Sequence, residues 1–254
     1  MTHWVVYGTM IFMLISRAVV PSYGDIMYYF FINVLEFNKT IIALLSLIAF
    51  TTAIFGSFIY NLFLKKLEFR VTMFIAHIII GFAIMSTYLL VSRISKEIFG
   101  INDILFAFFT DAALDILFVA FIFMPMLVAQ TKIVPKNVEG TIYSVFSSIR
   151  NLANDTISPV FGGLIATHFK VTRDNFDNIS SIVLIQFACN LIPICFIWLL
   201  PNNQMLEEFS QQISEKENEE DKGKIIDRSY SESTTKKLKY QEFDNEMVTM
   251  SKDK

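Results

Sequence analysis

The sequence predicts an all-α integral membrane protein, with six transmembrane helices over residues 1–201 and a disordered, charged cytosolic tail over residues 202–254. Two observations carry that reading. Of the 254 residues 54% are hydrophobic and 18% charged, and of the 45 charges 22 fall in the last 53 positions. The other 23 are clustered, so that residues 40–64, 71–92 and 178–206 contain no Asp, Glu, Lys or Arg. A hydrocarbon core about 30 Å thick needs about 20 apolar residues of helix, and each of these stretches meets that length. A soluble enzyme, a nucleic-acid binder and a secreted disulfide scaffold are excluded, because so few charges cannot solvate a soluble surface. A net charge of −3 offers no basic field for nucleic acid.

The elements follow from charge-free windows and helix breakers. The first runs from Trp4 to about Phe37, too long for one straight crossing, and Pro21-Ser22-Tyr23-Gly24 breaks it in the middle. The second is Thr40–Phe63 and the third Val71–Val91. The fourth, Ile104–Thr131, follows the capping pair Asn102-Asp103 and carries Pro125. The fifth, Thr141–Phe169, holds Pro159 and Gly162-Gly163, and the sixth, Ile179–Leu200, contains Pro193 and stops at Pro201. The Glu-, Lys- and Ser-rich sequence after Asn202 has no sustained apolar period. Lys65-Lys66 with Arg70 leans toward a cytosolic loop between the second and third spans, which places both termini in the cytosol. Cys189 and Cys195, six apart in one apolar segment, read as buried packing thiols rather than as a disulfide.

Ionisable groups inside spans cost about 2.5–3.5 kcal/mol each and are functional candidates by default. The first span carries Arg17, the fourth Asp111 and Asp115, and the fifth Arg150, Asn151, Asn154 and Asp155. At about 1.5 Å of rise per residue, Arg17, Asp115, Arg150 and Asp155 all lie roughly 16–24 Å from the cytosolic ends, near mid-bilayer. Asp111 and Asp115 are one helical turn apart, as are Arg150 and Asn154, and Asn151 and Asp155. Together they read as the wall of one polar cavity, the substrate-binding set being Arg17, Asp111, Asp115, Arg150, Asn151 and Asp155. His77, alone on the third span, reads as a hydrogen-bonded packing residue. No Walker A, HExxH, GxSxG or CxxC pattern occurs, so neither an enzyme nor a metal or cofactor site is expected.

Ordered motifs across residues 5–201 carry a family resemblance. They begin with Pro21-Ser22-Tyr23-Gly24-Asp25 followed by Tyr28-Tyr29-Phe30-Phe31-Ile32-Asn33 and Leu35-Glu36-Phe37, then Gly56 with Tyr60-Asn61-Leu62-Phe63-Leu64-Lys65-Lys66 and Arg70. Asp111-Ala112-Ala113-Leu114-Asp115, Met124-Pro125, Pro135 and Glu139-Gly140-Thr141 come next, and Lys170-Val171-Thr172-Arg173 with Phe176 and Asn178 last. In these the chain resembles the folate–biopterin transporters of the major facilitator superfamily. The resemblance implies a twelve-span facilitator in which residues 1–201 are spans seven to twelve, its carboxy-terminal half. It also implies multi-pass insertion in the lipid bilayer and secondary transport of folate- or pterin-like solutes, coupled to a proton or organic-anion gradient. Arg17 or Arg150 would then take the solute's carboxylates, and Asp111 or Asp115 would accept from the pterin ring or carry the coupling proton. Spans one to six have no counterpart here, so the expected partner is a missing amino-terminal half or, less favoured, a second copy. The rival expectation is a truncated, non-transporting membrane protein that only associates with a partner half.

Overall fold

The computed structural model describes residues 2–135, 138–216, 218, 219 and 222. Every regular element among them is helical. Helix α1 (Thr2–Ala18) ends just after Arg17, and a five-residue extended break carrying Pro21 separates it from α2 (Gly24–Asn33). Proline lacks the N–H that would continue the ladder and pushes the residue before it out of the helical region. The first span therefore consists of two helices, not one kinked rod.

Helix α3 (Lys39–Leu64) opens on Asn38, whose side-chain oxygen accepts from the Ile41 N–H at 2.8 Å, and closes on a wide π-turn, Tyr60–Leu64. Helix α4 (Phe69–Val91) leads through the short α5 (Ile94–Glu97) into α6 (Asp103–Ile133). That connection is tight. Arg93 adopts φ 62°, and its guanidinium and the Lys96 ammonium meet the Asp103 carboxylate at 3.1 and 3.6 Å. Asn102 caps α6 by accepting from the Ile104 N–H at 2.9 Å, as the Asn-Asp pair predicts.

The fifth predicted span is one continuous helix, α7, built from Glu139–Asn151, a π-turn at Leu152–Ile157, and Ser158–His168. Helix α8 (Ile179–Leu199) tightens to 3₁₀ geometry from Ile192 onward, where Pro193 removes a donor. Each proline within a span thus coincides with a departure from α geometry: a break at Pro21, a π-turn just before Pro125 (Val119–Phe123) and before Pro159, and the 3₁₀ segment at Pro193.

Among the described residues four helices are long and apolar enough to cross a membrane: Lys39–Leu64, Phe69–Val91, Asp103–Ile133 and Ile179–Leu199. The other two expected spans fall outside that criterion. The first is divided by its break, and α7 is interrupted by Ser144, Ser147, Ser148, Arg150, Asn151, Asn154 and Asp155. Two further expectations are corrected. Residues 203–216, read as the start of a solvated tail, are helical (α9). Leu206 and Phe209 are buried against Val5, Phe12, Met73 and Ile133, with Ile213 packed alongside. Three apolar residues at helical spacing suffice to dock that segment although its flanks are charged. Its anchor is Asn203, which accepts from the Phe69 N–H at 3.0 Å and so caps α4, while Arg70 Nε donates to the Leu200 carbonyl at 2.6 Å. The rest of the expected tail, beyond residue 222, lies outside the described residues. Cys189 is buried as expected, but Cys195 is exposed, because the two sit on different faces of α8.

Beside smaller clusters at Phe37 and Leu45 and at Tyr60 and Leu64, two large apolar centres dominate the packing of the described residues. One gathers the amino end of α1, the start of α4, the end of α6 and α9 around Phe12, Met73 and Phe146. The other gathers α2, the far half of α4 and the start of α8 around Phe30, Ile80 and Ile182. Between these two centres lies the break in the first span.

Candidate functional site

The break is held by contacts from two other helices. The Ser22 N–H donates to the Ser158 carbonyl at 3.1 Å, the Ser158 hydroxyl donates to the Val20 carbonyl at 2.6 Å, and Gln186 Nε2 donates to the Pro21 carbonyl at 3.1 Å. Unwinding a span strands backbone polar groups in a low-dielectric interior, and side chains of neighbouring helices satisfy them here. The approach of α7 is close enough that a Cβ on Gly162 would collide with the Ser22 backbone. Glycine is required at that position by proximity, not by conformation.

Beside the break opens a cavity of about 670 Å³. Arg17, Ser22 and Tyr23 reach it from the first span, Asp111 and Asp115 from α6, and Gln186 and Asn190 from α8. Asp111 and Asp115, one turn apart, therefore share the face their spacing predicts, and neither forms an ion pair or hydrogen bond among the described residues. Arg17 forms no ion pair there either. Its Nε donates to Asn154 Oδ1 at 2.6 Å, and its guanidinium lies over the Phe118 ring, 4.5 Å from the centroid. The cavity thus holds a cation and two carboxyl groups that do not neutralise each other.

The other sequence-predicted residues are placed differently. Arg150 does not line the large cavity; it sits beside Arg17 in a smaller neighbouring pocket, donating from Nη2 to Ser147 Oγ at 3.1 Å and lying over the Phe123 ring at 5.4 Å. Asn151 and Asp155 line neither pocket and are exposed. With Thr141, Ser144 and Ser148, also exposed, they form a polar stripe at helical spacing along α7. Such a stripe cannot rest against acyl chains without leaving polar groups unsatisfied.

Asn154 is the residue that the sequence reading left out of the binding set. By spacing it pairs with Arg150 on a regular helix. The structure places both in one pocket, where Asn154 accepts from Arg17. Its spacing of four from Arg150 was the available signal. His77 is fully buried, its Nδ1 3.4 Å from Asn190 Oδ1 while Asn190 Nδ2 donates to the His77 carbonyl at 2.7 Å, and its ring stands edge-on to Phe12. It is a hydrogen-bonded packing residue set in the cavity wall. Among the described residues no cluster of His, Cys, Asp and Glu is arranged to hold a metal ion.

A family model described as the BT1 family matches residues 1–220. The probable folate-biopterin transporter 4 of Arabidopsis thaliana is 29% identical over 197 residues, covering 78% of this chain and 40% of that protein. Folate transporter 1 of Plasmodium falciparum is 27% identical over 229 residues, covering 90% and 43%. The folate-biopterin transporter of Synechocystis is 28% identical over 181 residues, covering 71% and 36%. The chain spans about two-fifths of the length of these relatives. No solved structure matches it.

Proposed function

The chain belongs to the BT1 family, and from that premise we propose that it is the carboxy-terminal, six-span half of a secondary transporter for folate- and pterin-like solutes. The protein is integral to a membrane, and its named relatives are transporters rather than enzymes. In this reading the six spans are α1 with α2, then α3, α4, α6, α7 and α8. The exposed polar stripe of α7 faces a second set of helices or the water between the two sets, so Asn151 and Asp155 belong to the translocation path and not to the cavity beside the break.

One observation carries the proposal: an arginine without a carboxylate partner shares a cavity of about 670 Å³ with two carboxyl groups also left unpaired. All three are half-buried, and charges that serve packing alone are normally paired, since an unpaired ion away from bulk water is costly. A solute carrying carboxylates at one end and N–H donors at the other completes both ends of such a cavity. Arg17 takes a carboxylate through charge-assisted hydrogen bonds, for which guanidinium geometry is suited. Asp111 and Asp115 accept from the amino and amide hydrogens of a pterin edge, and one of them carries the proton when transport is coupled to a proton gradient.

Uptake of tritiated folate tests this in cells without folate uptake of their own, expressing the chain together with the amino-terminal half of a BT1 relative. Arg17→Met is expected to lower uptake about tenfold or more, the loss of one charge-assisted hydrogen-bonded pair. Uptake by Arg17→Met equal to the wild type, at equal surface expression, sinks the assignment.

A further inference from the structure

The small pocket next to the main cavity has a composition of its own. Its volume is about 30 Å³, and its lining includes Arg17, Arg150, Asn154, Phe118 and Phe123 but no Asp or Glu. Each guanidinium lies over one phenyl ring of α6, Arg17 on Phe118 and Arg150 on Phe123. Two residues tether the pair: Asn154, which accepts from Arg17, and Ser147, which accepts from Arg150. Both tethers are neutral. Two guanidiniums in one pocket repel each other, and a chain that used them for packing alone would place a carboxylate between them. Here the neutral tethers and the aromatic faces hold the planes of the cations without cancelling their charge.

We infer that this pocket is a carboxylate subsite, distinct from the aspartate end of the main cavity, and that Asn154 is its positioning residue, an amide that orients Arg17 without neutralising it. The inference deepens the carrier reading by assigning the solute's acidic end to a specific place. About 30 Å³ holds a water- or carboxylate-sized group and no ring. The body of the solute therefore lies in the larger cavity, and Arg17, which lines both, stands at the junction. Asn154, four residues from Arg150, enters the pocket on the same face of α7, while Asn151 and Asp155 stay on the outer face. An aspartate at position 154 would have nearly the shape of asparagine and would supply the counter-ion that the ligand otherwise brings.

The test uses the full chain purified in nanodiscs and two radiolabelled probes, glutarate for the acidic end and unsubstituted pterin for the ring. Asn154→Asp is expected to weaken glutarate binding about tenfold or more while pterin binding stays within about twofold, since only the anion competes with the new carboxylate. Asn154→Gln, which keeps a neutral acceptor, is expected to retain most glutarate binding. Arg150→Met is expected to weaken glutarate about as much as Asn154→Asp does. Glutarate binding without pterin binding in the wild type overturns the folate and pterin reading and leaves the subsite standing. A wild type that binds no glutarate overturns the subsite. So does Asn154→Asp binding glutarate as the wild type does, or losing both probes to the same extent.

Discussion

Helices α3 and α7 are both long enough to cross a bilayer and both present much of their length to the outside, yet the chemistry they present differs. The exposed side chains of α3 include Leu47, Phe50, Ile54, Phe58 and Leu62, with Phe50 76% exposed. On α7 exposed Val145, Leu152, Val160 and Leu164 run beside a stripe of Thr141, Ser144, Ser148, Asn151 and Asp155. No single medium suits both sets. Phenylalanines in water lose the transfer free energy of their rings, and an aspartate against acyl chains costs about 2.5–3.5 kcal/mol. The polar stripe of α7 therefore needs surroundings that the apolar face of α3 does not. A hydropathy criterion finds α3, and it passes over the helix that carries Arg150, Asn154 and the clamp on the first-span break.

The sharpest way to break that contrast is to exchange the chemistry. Phe50→Asp on α3 is expected to cost about 3 kcal/mol of membrane integration, read as loss of the alkali-resistant fraction after expression in microsomes. Asp155→Leu on α7 is expected to leave integration intact. Equal behaviour of the two variants would mean that both helices see the same medium. A second contrast lies within α7. Gly162→Ala drives a methyl into the Ser22 backbone, whereas nothing lies within 4 Å of a methyl on Gly163. Gly162→Ala is expected to destabilise by about 1–3 kcal/mol through overpacking and Gly163→Ala by less than about 0.5 kcal/mol, both read from thermal unfolding in detergent. The smallest effect belongs to the clamp's side-chain hydrogen bond. Ser158→Ala removes the donor to the Val20 carbonyl and is expected to cost about 1 kcal/mol. Amide exchange around Val20 and Ser22 is expected to rise in that variant, and unchanged exchange would place the restraint on the Ser158 carbonyl, Gln186 and Gly162 packing.

Much of this architecture was legible from the chain. The break at Pro21 and the cap at Asn102 follow from local backbone chemistry, and the shared face of Asp111 and Asp115 follows from a spacing of four. What failed to read out did so for identifiable reasons. Leu206, Phe209 and Ile213 are too few to stand out among charges, and their burial depends on the surface that α1, α4 and α6 offer them. Arg150 and Asn154 of α7 share one pocket, as a spacing of four predicts, but that Asn154 accepts from Arg17 depends on where the first span lies. Asn151 and Asp155 share that helix and its depth, so only the rotation of α7 about its axis distinguishes the inner wall from the outer stripe.

By itself the sequence determined the medium: which segments are apolar enough for hydrocarbon, and where prolines and caps interrupt them. Partition between water and lipid is a property of each side chain and its near neighbours, and it adds along the chain. Tertiary structure alone decided the partners. That Arg17 rests on Asn154 and Phe118 instead of on Asp111 or Asp115, and that α7 closes on the first-span break through Gly162, depends on helix rotation and on distances between segments more than a hundred residues apart. Those quantities are set by packing across the whole bundle, which no local pattern contains.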